Sequence, residues 1–134
     1  MEEIKKESRL GLSLSLKRGR LLVHYATIKA LGCPGYIRFL YNSRKKRIAI
    51  QICEEIDREA IRVSERIEGE RYQFDISSSP LLSVIYKHCG WATDQTFSVM
   101  GTFHEKYHLV EYDLLSAKVI SSDQFYDPEG KGIK

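Results

Sequence analysis

A strictly alternating stretch near the N-terminus sets the first constraint on the fold. In "LGLSLSLK", residues 10–17, leucine occupies every second position, and glycine, serine or lysine fills the positions between. Side chains two residues apart lie on the same face of a β-strand, so this pattern predicts a strand with one buried face and one exposed face. The chain is therefore expected to build a β-sheet from its first structured residues onward.

The residues that follow predict a turn, a short helix and a hairpin. "KRGR" at 17–20 predicts a turn in which Gly19 takes a positive φ angle, and residues 21–24 continue as a short extended segment. "YATIKALG" predicts a helix that ends at Gly32, because Pro34 prevents its continuation. Residues 36–41 and 47–53 then predict two strands joined by the polar turn 42–46.

The second half of the chain shows a similar order of signals. "YQFDI" predicts a strand, and Ser79 before Pro80 predicts a helix start that leads to an end at Gly90. "TFSVM" and "HLVEYDL" predict two further strands. Since Gly32 and Gly90 are 58 residues apart and close helices of similar context, the sequence predicts an internal repeat.

These patterns predict an α+β, β-rich fold of two βαββ halves. The expected boundaries are a basic first half at 1–53, a charged linker at 54–70, a second half at 71–120 and a flexible tail at 121–134. The chain of 134 residues, 43% hydrophobic and 29% charged, has the composition of an ordinary globular domain.

The net charge of +3 is unevenly distributed along the chain. Residues 8–53 contain no Asp or Glu and carry ten Lys and Arg residues, whereas acids outnumber bases from Glu54 onward. A long basic block favours a polyanion as partner, and nucleic acid in particular. An acidic protein that binds the same surface is the alternative.

The stretch "GRLLVHYATIKALG", Gly19 to Gly32, resembles the core motif of the AbrB-like swapped-hairpin DNA-binding family, which includes transition-state regulators and antitoxins. Gly-Arg, an apolar triplet and a short helix ending in Leu-Gly fall at the family spacing, and a hairpin follows. The similarity covers residues 9–53. The chain departs from the family pattern at His24, where proline is usual, and at Thr27, where an apolar residue is usual; Gly-Asp after the helix is also absent.

The resemblance implies a swapped-hairpin-like barrel, DNA as partner and an assembly such as a homodimer. It also implies that residues of the first turn contact DNA, namely Lys17, Arg18 and Arg20. Composition alone indicates a second cluster of DNA contacts, in the predicted hairpin turn. Adjacent cations repel one another unless an anion lies near, so a run of them indicates an anionic partner. The members of this cluster are Arg44, Lys45, Lys46 and Arg47.

The pentapeptide "HEKYH", His104 to His108, matches the His-Glu-x-x-His zinc signature. That signature requires a helix, because histidines four residues apart bind one metal only at helical spacing. The flanking residues predict strands, so the pentapeptide is expected in a hairpin loop, with no metal site. We expect no catalytic residue, no cofactor and no enzyme activity; a zinc hydrolase is the most remote of the alternatives.

The number of cysteines and the hydropathy of the chain indicate the cellular compartment in which the protein is expected. Three cysteines, Cys33, Cys53 and Cys89, form no C-x-x-C pair and are expected to be reduced and buried as small apolar residues. With no long apolar run and a charged N-terminus, a cytoplasmic protein without membrane contact is expected. The sequence thus predicts a small DNA-binding transcriptional regulator or antitoxin-like protein, with a protein-interaction module without nucleic acid as the alternative.

Overall fold

The computed structural model of the chain describes residues 10–63, 73–121 and 125. The first part contains β1 (Gly11–Ser15), β2 (Arg20–His24), α1 (Tyr25–Ala30), β3 (Tyr36–Asn42), β4 (Arg47–Ile52) and β5 (Ile61–Arg62). The second part contains β6 (Gln73–Ser77), α2 (Ser79–Cys89), β7 (Thr96–His104), β8 (Leu109–Asp113) and β9 (Lys118–Ile120). Two short 3₁₀ helices, Glu105–Tyr107 and Leu114–Ser116, flank β8.

All nine strands of the described residues belong to one curled antiparallel sheet with the order β5-β3-β4-β8-β7-β1-β2-β6, in which β9 also pairs with β7. Each pair is antiparallel. The predicted class, α+β and rich in β-structure, is therefore confirmed. The β3–β4 hairpin pairs on its two sides with β5 and β8, and the β7–β8 hairpin pairs with β1 and β4. The β7–β8 hairpin thus lies between two strands of the first part of the chain, and the β3–β4 hairpin lies between β5 of its own part and β8 of the second part.

Strand β7 organises the middle of the sheet because it changes partner along one edge. Its first residues pair with β9, and Gly101–His104 pair with β8, while its other edge pairs with β1. A Cβ atom at Gly101 would lie 2.6 Å from Val110 Cγ1 and 2.7 Å from Tyr112 Cε2. Glycine is therefore needed at this position, because the side chains of β8 pack directly against the β7 backbone.

The prediction of one exposed face for β1 is wrong. All five residues of β1 are buried, including Ser13 and Ser15, which are 4% and 1% exposed. The Ser15 hydroxyl accepts a hydrogen bond from the Arg18 amide at 3.3 Å, so a buried polar side chain is satisfied locally. Alternation correctly identified the strand, but small polar residues fit inside a protein as well as on its surface.

The two helices end in the same way. Gly32 and Gly90 both have positive φ angles, +85° and +67°, and each amide donates to the carbonyl three residues earlier. The next residue then donates to the carbonyl five residues earlier, which is the Schellman arrangement. The two bonds are Cys33 to Ile28 at 2.9 Å and Trp91 to Tyr86 at 3.0 Å, related by the predicted offset of 58 residues.

Several parts of the chain differ from the sequence prediction. The described part of the linker contains the short strand β5, and the second half contains an unpredicted strand, β9. Phe125, in the segment predicted to be a flexible tail, is fully buried. Cys33 is exposed rather than buried, and Cys53 and Cys89 are half-buried. Residues 1–9, 64–72, 122–124 and 126–134 lie outside the described residues, and they include parts of the predicted linker and tail.

A buried hydrogen bond joins helix α1 to the centre of the sheet. The hydroxyl groups of Thr27 and Tyr112 are 3.2 Å apart, and both side chains are fully buried. Thr27 stands where the family pattern has an apolar residue. Its hydroxyl gives the phenol of Tyr112 a partner where no solvent reaches it, which explains a polar side chain on the inner face of the helix.

We expect Thr27→Val to destabilise the protein by about 1–3 kcal/mol, because it leaves the Tyr112 hydroxyl buried without its partner. The double variant Thr27→Val/Tyr112→Phe removes both hydroxyls and is expected to recover much of that loss. Urea unfolding of the wild type, both single variants and the double variant measures the coupling. Additive losses in the double variant would contradict the hydrogen bond.

Alkaline pH is expected to destabilise the protein through Tyr112. Burial raises the pKa of this tyrosine, and the hydrogen bond to Thr27 offsets only part of the effect. The unfolded chain ionises Tyr112 near its ordinary pKa of 10.0, so stability is retained below that pH and falls as the pH rises above it. The urea midpoint of the wild type should fall between about pH 9 and about pH 11, and the midpoint of Tyr112→Phe should fall less over the same interval. An equal fall in both proteins would exclude Tyr112 as the cause.

Candidate nucleic-acid interface

The strand register brings the two predicted basic turns to the same end of the sheet. Ser15, just before the β1–β2 turn, pairs with Thr96 at the start of β7. Arg47, just after the β3–β4 turn, pairs with Asp113 at the end of β8, and β8 runs antiparallel to β7. We call this region the basic end. It carries all seven predicted contact residues: Lys17, Arg18, Arg20, Arg44, Lys45, Lys46 and Arg47.

The opposite end of the sheet has a different charge. Helix α1, the β7–β8 turn and the loop 53–60 lie there, because β2, β7 and β4 each run away from the basic end. That end carries the acidic residues Glu54, Glu55, Asp57, Glu59 and Glu105, which outnumber the cations of the same segments, Lys29, Arg58 and Lys106. The sequence asymmetry is therefore also a spatial asymmetry along the strand direction.

Two of the seven cations are held by carboxylates on neighbouring strands. Arg20 Nη1 lies 2.9 Å from Asp75 Oδ2 across the β2–β6 pair, and Arg47 Nη1 lies 3.3 Å from Glu111 Oε2. All four side chains are substantially exposed, so each pair contributes about 0–1 kcal/mol to stability. These weak pairs orient the guanidinium groups and partly neutralise them.

The remaining cations of the basic end have different surroundings. The guanidinium carbon of Arg18 lies 5.0 Å from the centre of the Phe125 ring, a cation–π contact that fixes its side chain against a buried aromatic residue. Lys17, Arg44, Lys45 and Lys46 form no ion pair with any carboxylate in the described part of the chain. Their charge is therefore less compensated than that of Arg20 and Arg47.

The β3–β4 turn is held in place by hydrogen bonds to its backbone. The Lys45 amide donates to Asn42 Oδ1 at 3.0 Å, and the Lys46 carbonyl accepts from the Leu114 amide at 2.9 Å. Helix α2 ends beside the β3–β4 hairpin, since the Tyr41 hydroxyl lies 2.9 Å from His88 Nδ1. Burial raises the pKa of the Cys89 thiol, and the Lys46 ammonium offsets part of that effect. The cations thus project from a turn that is held by its own hydrogen bonds and by β8.

A groove of about 510 Å³ opens at the basic end. Its lining comes from three laterally adjacent segments: the end of β1 and its turn, the start of β7, and β9. The Tyr86 hydroxyl lies within hydrogen-bond distance of the carbonyls of Leu14 and Gln95, which holds the end of β1 beside the start of β7. The lining residues are Ser15, Lys17, Arg18, Asp94, Gln95, Thr96, Val119 and Ile120.

Sequence reasoning identified only Lys17 and Arg18 among these groove residues. Asp94 and Gln95 lie in a polar connection between α2 and β7, where nothing in the sequence distinguishes them from ordinary loop residues. Val119 and Ile120 reach the groove because β9 pairs with the start of β7, and a three-residue strand gives too short a pattern to predict.

The pentapeptide His104 to His108 lies at the β7–β8 turn, so its predicted location in a hairpin loop is confirmed. His104 ends β7, Glu105–Tyr107 form a 3₁₀ helix, and His108 has a φ angle of +52° before β8 begins. His104 Nε2 lies 3.0 Å from Glu111 Oε1. The α-helical spacing on which the zinc signature depends is therefore absent, and His104 has a carboxylate partner within the sheet.

We expect the purified protein to retain no stoichiometric zinc after dialysis, because the two histidines do not share a helical face. Elemental analysis of the wild type and of His104→Ala should give the same background value. One equivalent of zinc in the wild type that disappears in the variant would contradict this expectation.

Among the described residues, no group of three or more His, Cys, Asp and Glu side chains is placed to hold a metal ion. In the same part of the chain, neither helix has the length and apolar character needed to span a membrane. No protein-family model, no curated protein and no solved structure matches the chain.

Proposed function

We propose that the protein binds double-stranded DNA through the basic end and acts as a small transcriptional regulator or antitoxin-like protein. The observation that carries the proposal is the strand register, which gathers two turns rich in Lys and Arg at one end of the sheet and acidic residues at the other. A net positive field at one end attracts a polyanion and orients it during encounter.

The strand pairing supports a finer proposal for the fold, a swapped-hairpin-like barrel made of two βαββ halves. The halves are β2-α1-β3-β4 and β6-α2-β7-β8. In these halves β2 corresponds to β6, β3 to β7 and β4 to β8. If each strand is exchanged for its counterpart, the order β3-β4-β8-β7 becomes β7-β8-β4-β3, which is the same order read backwards, and the β2–β6 pair stays a pair. The matching Schellman bonds at the two helix ends support the same relationship.

In this proposal five of the seven cations have distinct roles. Lys17, Arg44 and Lys45 make the first contacts with phosphate, since no described carboxylate compensates them. Arg20 and Arg47 are oriented by Asp75 and Glu111 and meet DNA after these weak pairs open or shift. Guanidinium groups bind a phosphate or a guanine edge through two parallel hydrogen bonds, which favours these two residues for base contact.

A homodimer is part of the proposal. Because one chain already contributes both hairpins to the sheet, a second copy would not be needed to complete the strand pairing. It would instead present a second basic end, and two contact surfaces on one duplex strengthen binding when their spacing matches the DNA. Light scattering on the purified protein measures the assembly.

The double variant Arg44→Ala/Lys45→Ala is expected to weaken duplex binding and to lower the slope of log K against log salt by about two, since each lost phosphate contact removes roughly 0.9 from that slope. The charge-matched control is Lys29→Ala/Lys106→Ala, which removes two cations from the opposite end and should leave the slope unchanged. Fluorescence anisotropy with a labelled duplex at several salt concentrations provides the measurement.

Two results would reject the DNA proposal. Equal losses in the two double variants would mean that only the net charge matters, not the basic end. No measurable duplex binding at low salt would favour the alternative class, a protein-interaction module whose basic end binds an acidic protein.

A further inference from the structure

We propose that the groove at the basic end is a nucleotide site, which accepts one phosphorylated nucleoside, either free or as part of a single strand. This goes beyond the proposed duplex binding, because a base enters a groove of this kind only when it is unpaired. The inference rests on the order in which three kinds of side chain line the groove.

Strand pairing fixes that order from one side of the groove to the other. Lys17 and Arg18 follow β1 on one side, Asp94 and Gln95 precede β7 in the middle, and Val119 and Ile120 belong to β9 on the far side. Neighbouring strands are about 4.8 Å apart, so the cationic and aliphatic walls are separated by about 10 Å. That separation is comparable to the distance from the phosphate of one nucleotide to the far edge of its base.

Each wall has the chemistry that one part of a nucleotide requires. Lys17 and Arg18 supply positive charge for a phosphate, and the Phe125 ring under Arg18 keeps its guanidinium at the groove. Val119 is 55% exposed although it is aliphatic, so it offers an uncovered apolar surface to the face of a base. Asp94 and Gln95 provide one acceptor group and one amide for the polar edges of the base or the sugar.

The size and rigidity of the groove fit this ligand class. A volume of about 510 Å³ lies within the range of about 300–1,000 Å³ found for small-molecule sites. Ser15 and Thr96 form a buried floor, and the Tyr86 hydroxyl fixes the adjoining carbonyls of Leu14 and Gln95. The site is therefore preformed, which limits the entropy lost on binding.

The carboxylate of Asp94 distinguishes a nucleotide site from a simple anion site. A negative charge beside Lys17 and Arg18 weakens the binding of a bare phosphate, so its presence is unfavourable unless the ligand has hydrogen-bond donors for it. The amino and imino groups of nucleobases and the hydroxyl of the sugar are such donors. We therefore expect nucleoside monophosphates to bind more tightly than inorganic phosphate.

Calorimetric titration of the full chain at low salt tests the site with the four deoxynucleoside monophosphates, the matching nucleosides and inorganic phosphate. Val119→Ser should raise the Kd for the monophosphates about fourfold or more, since it removes apolar contact with the base, and should leave phosphate binding unchanged. The matched control is Val84→Ser, which makes the same change at an exposed position on helix α2. Asp94→Ala should bind inorganic phosphate more tightly and discriminate less among the four bases.

Three results would overturn the nucleotide site: no saturable binding of any monophosphate, phosphate binding as tight as that of the monophosphates, or equal affinities in Val119→Ser and the wild type. Two results would support it and identify the source of the nucleotide. A thymidine oligonucleotide that binds more tightly than the monophosphate and is weakened by Val119→Ser indicates single strands. Saturable binding of the monophosphate alone indicates a free nucleotide.

The same variants separate this proposal from duplex binding. Arg44→Ala/Lys45→Ala changes residues outside the groove, so it should leave the affinity for the monophosphates unchanged whatever its effect on the duplex. Loss of monophosphate binding in that variant would mean that general charge, rather than the groove, binds the nucleotide, and would overturn the site.

Discussion

The structure depends on the pairing between strands that are far apart in the chain. Strand β1 pairs with β7, β2 with β6 and β4 with β8, so the central ladders each join the first part of the chain to the second. Neither part forms the whole sheet without the other, because each hairpin pairs with at least one strand of the other part. The buried hydrogen bond between Thr27 and Tyr112 adds a side-chain link of the same kind, from helix α1 to strand β8.

Local patterns in the sequence were sufficient to predict most of the elements but not their arrangement. Gly32 and Gly90 marked the helix ends correctly, because a positive φ angle is a local property. The length of β7 and the partner of β9 were not predictable, since both depend on which strands meet across the sheet. The burial of Ser13 and Ser15 was missed for a related reason: what covers a strand is set by distant parts of the chain.

The basic residues of the candidate interface were likewise identified by composition, and their common location follows from the register. Composition does not show that Asp75 and Glu111 oppose Arg20 and Arg47, because these partners are 55 and 64 residues away in the sequence. Such pairs make the free surface less positive than a count of Lys and Arg indicates. They also favour one orientation of each guanidinium before a ligand arrives. The groove residues Asp94 and Val119 were not identifiable for the same reason, since β7 and β9 meet only in the folded sheet.

The presence of both hairpins in one chain has a consequence for how the surface can evolve. In an assembly of identical copies, every substitution is repeated in each copy, so a new charge on one face appears on all equivalent faces. Here both hairpins belong to one chain, and a substitution changes one position only. The end that carries the β1–β2 and β3–β4 turns can therefore gain arginine and lysine while the end that carries the β7–β8 turn keeps its glutamates. The two ends of a sheet built from similarly ordered segments can in this way come to differ in charge. One end is then specialised, and the other is free to take on a different role.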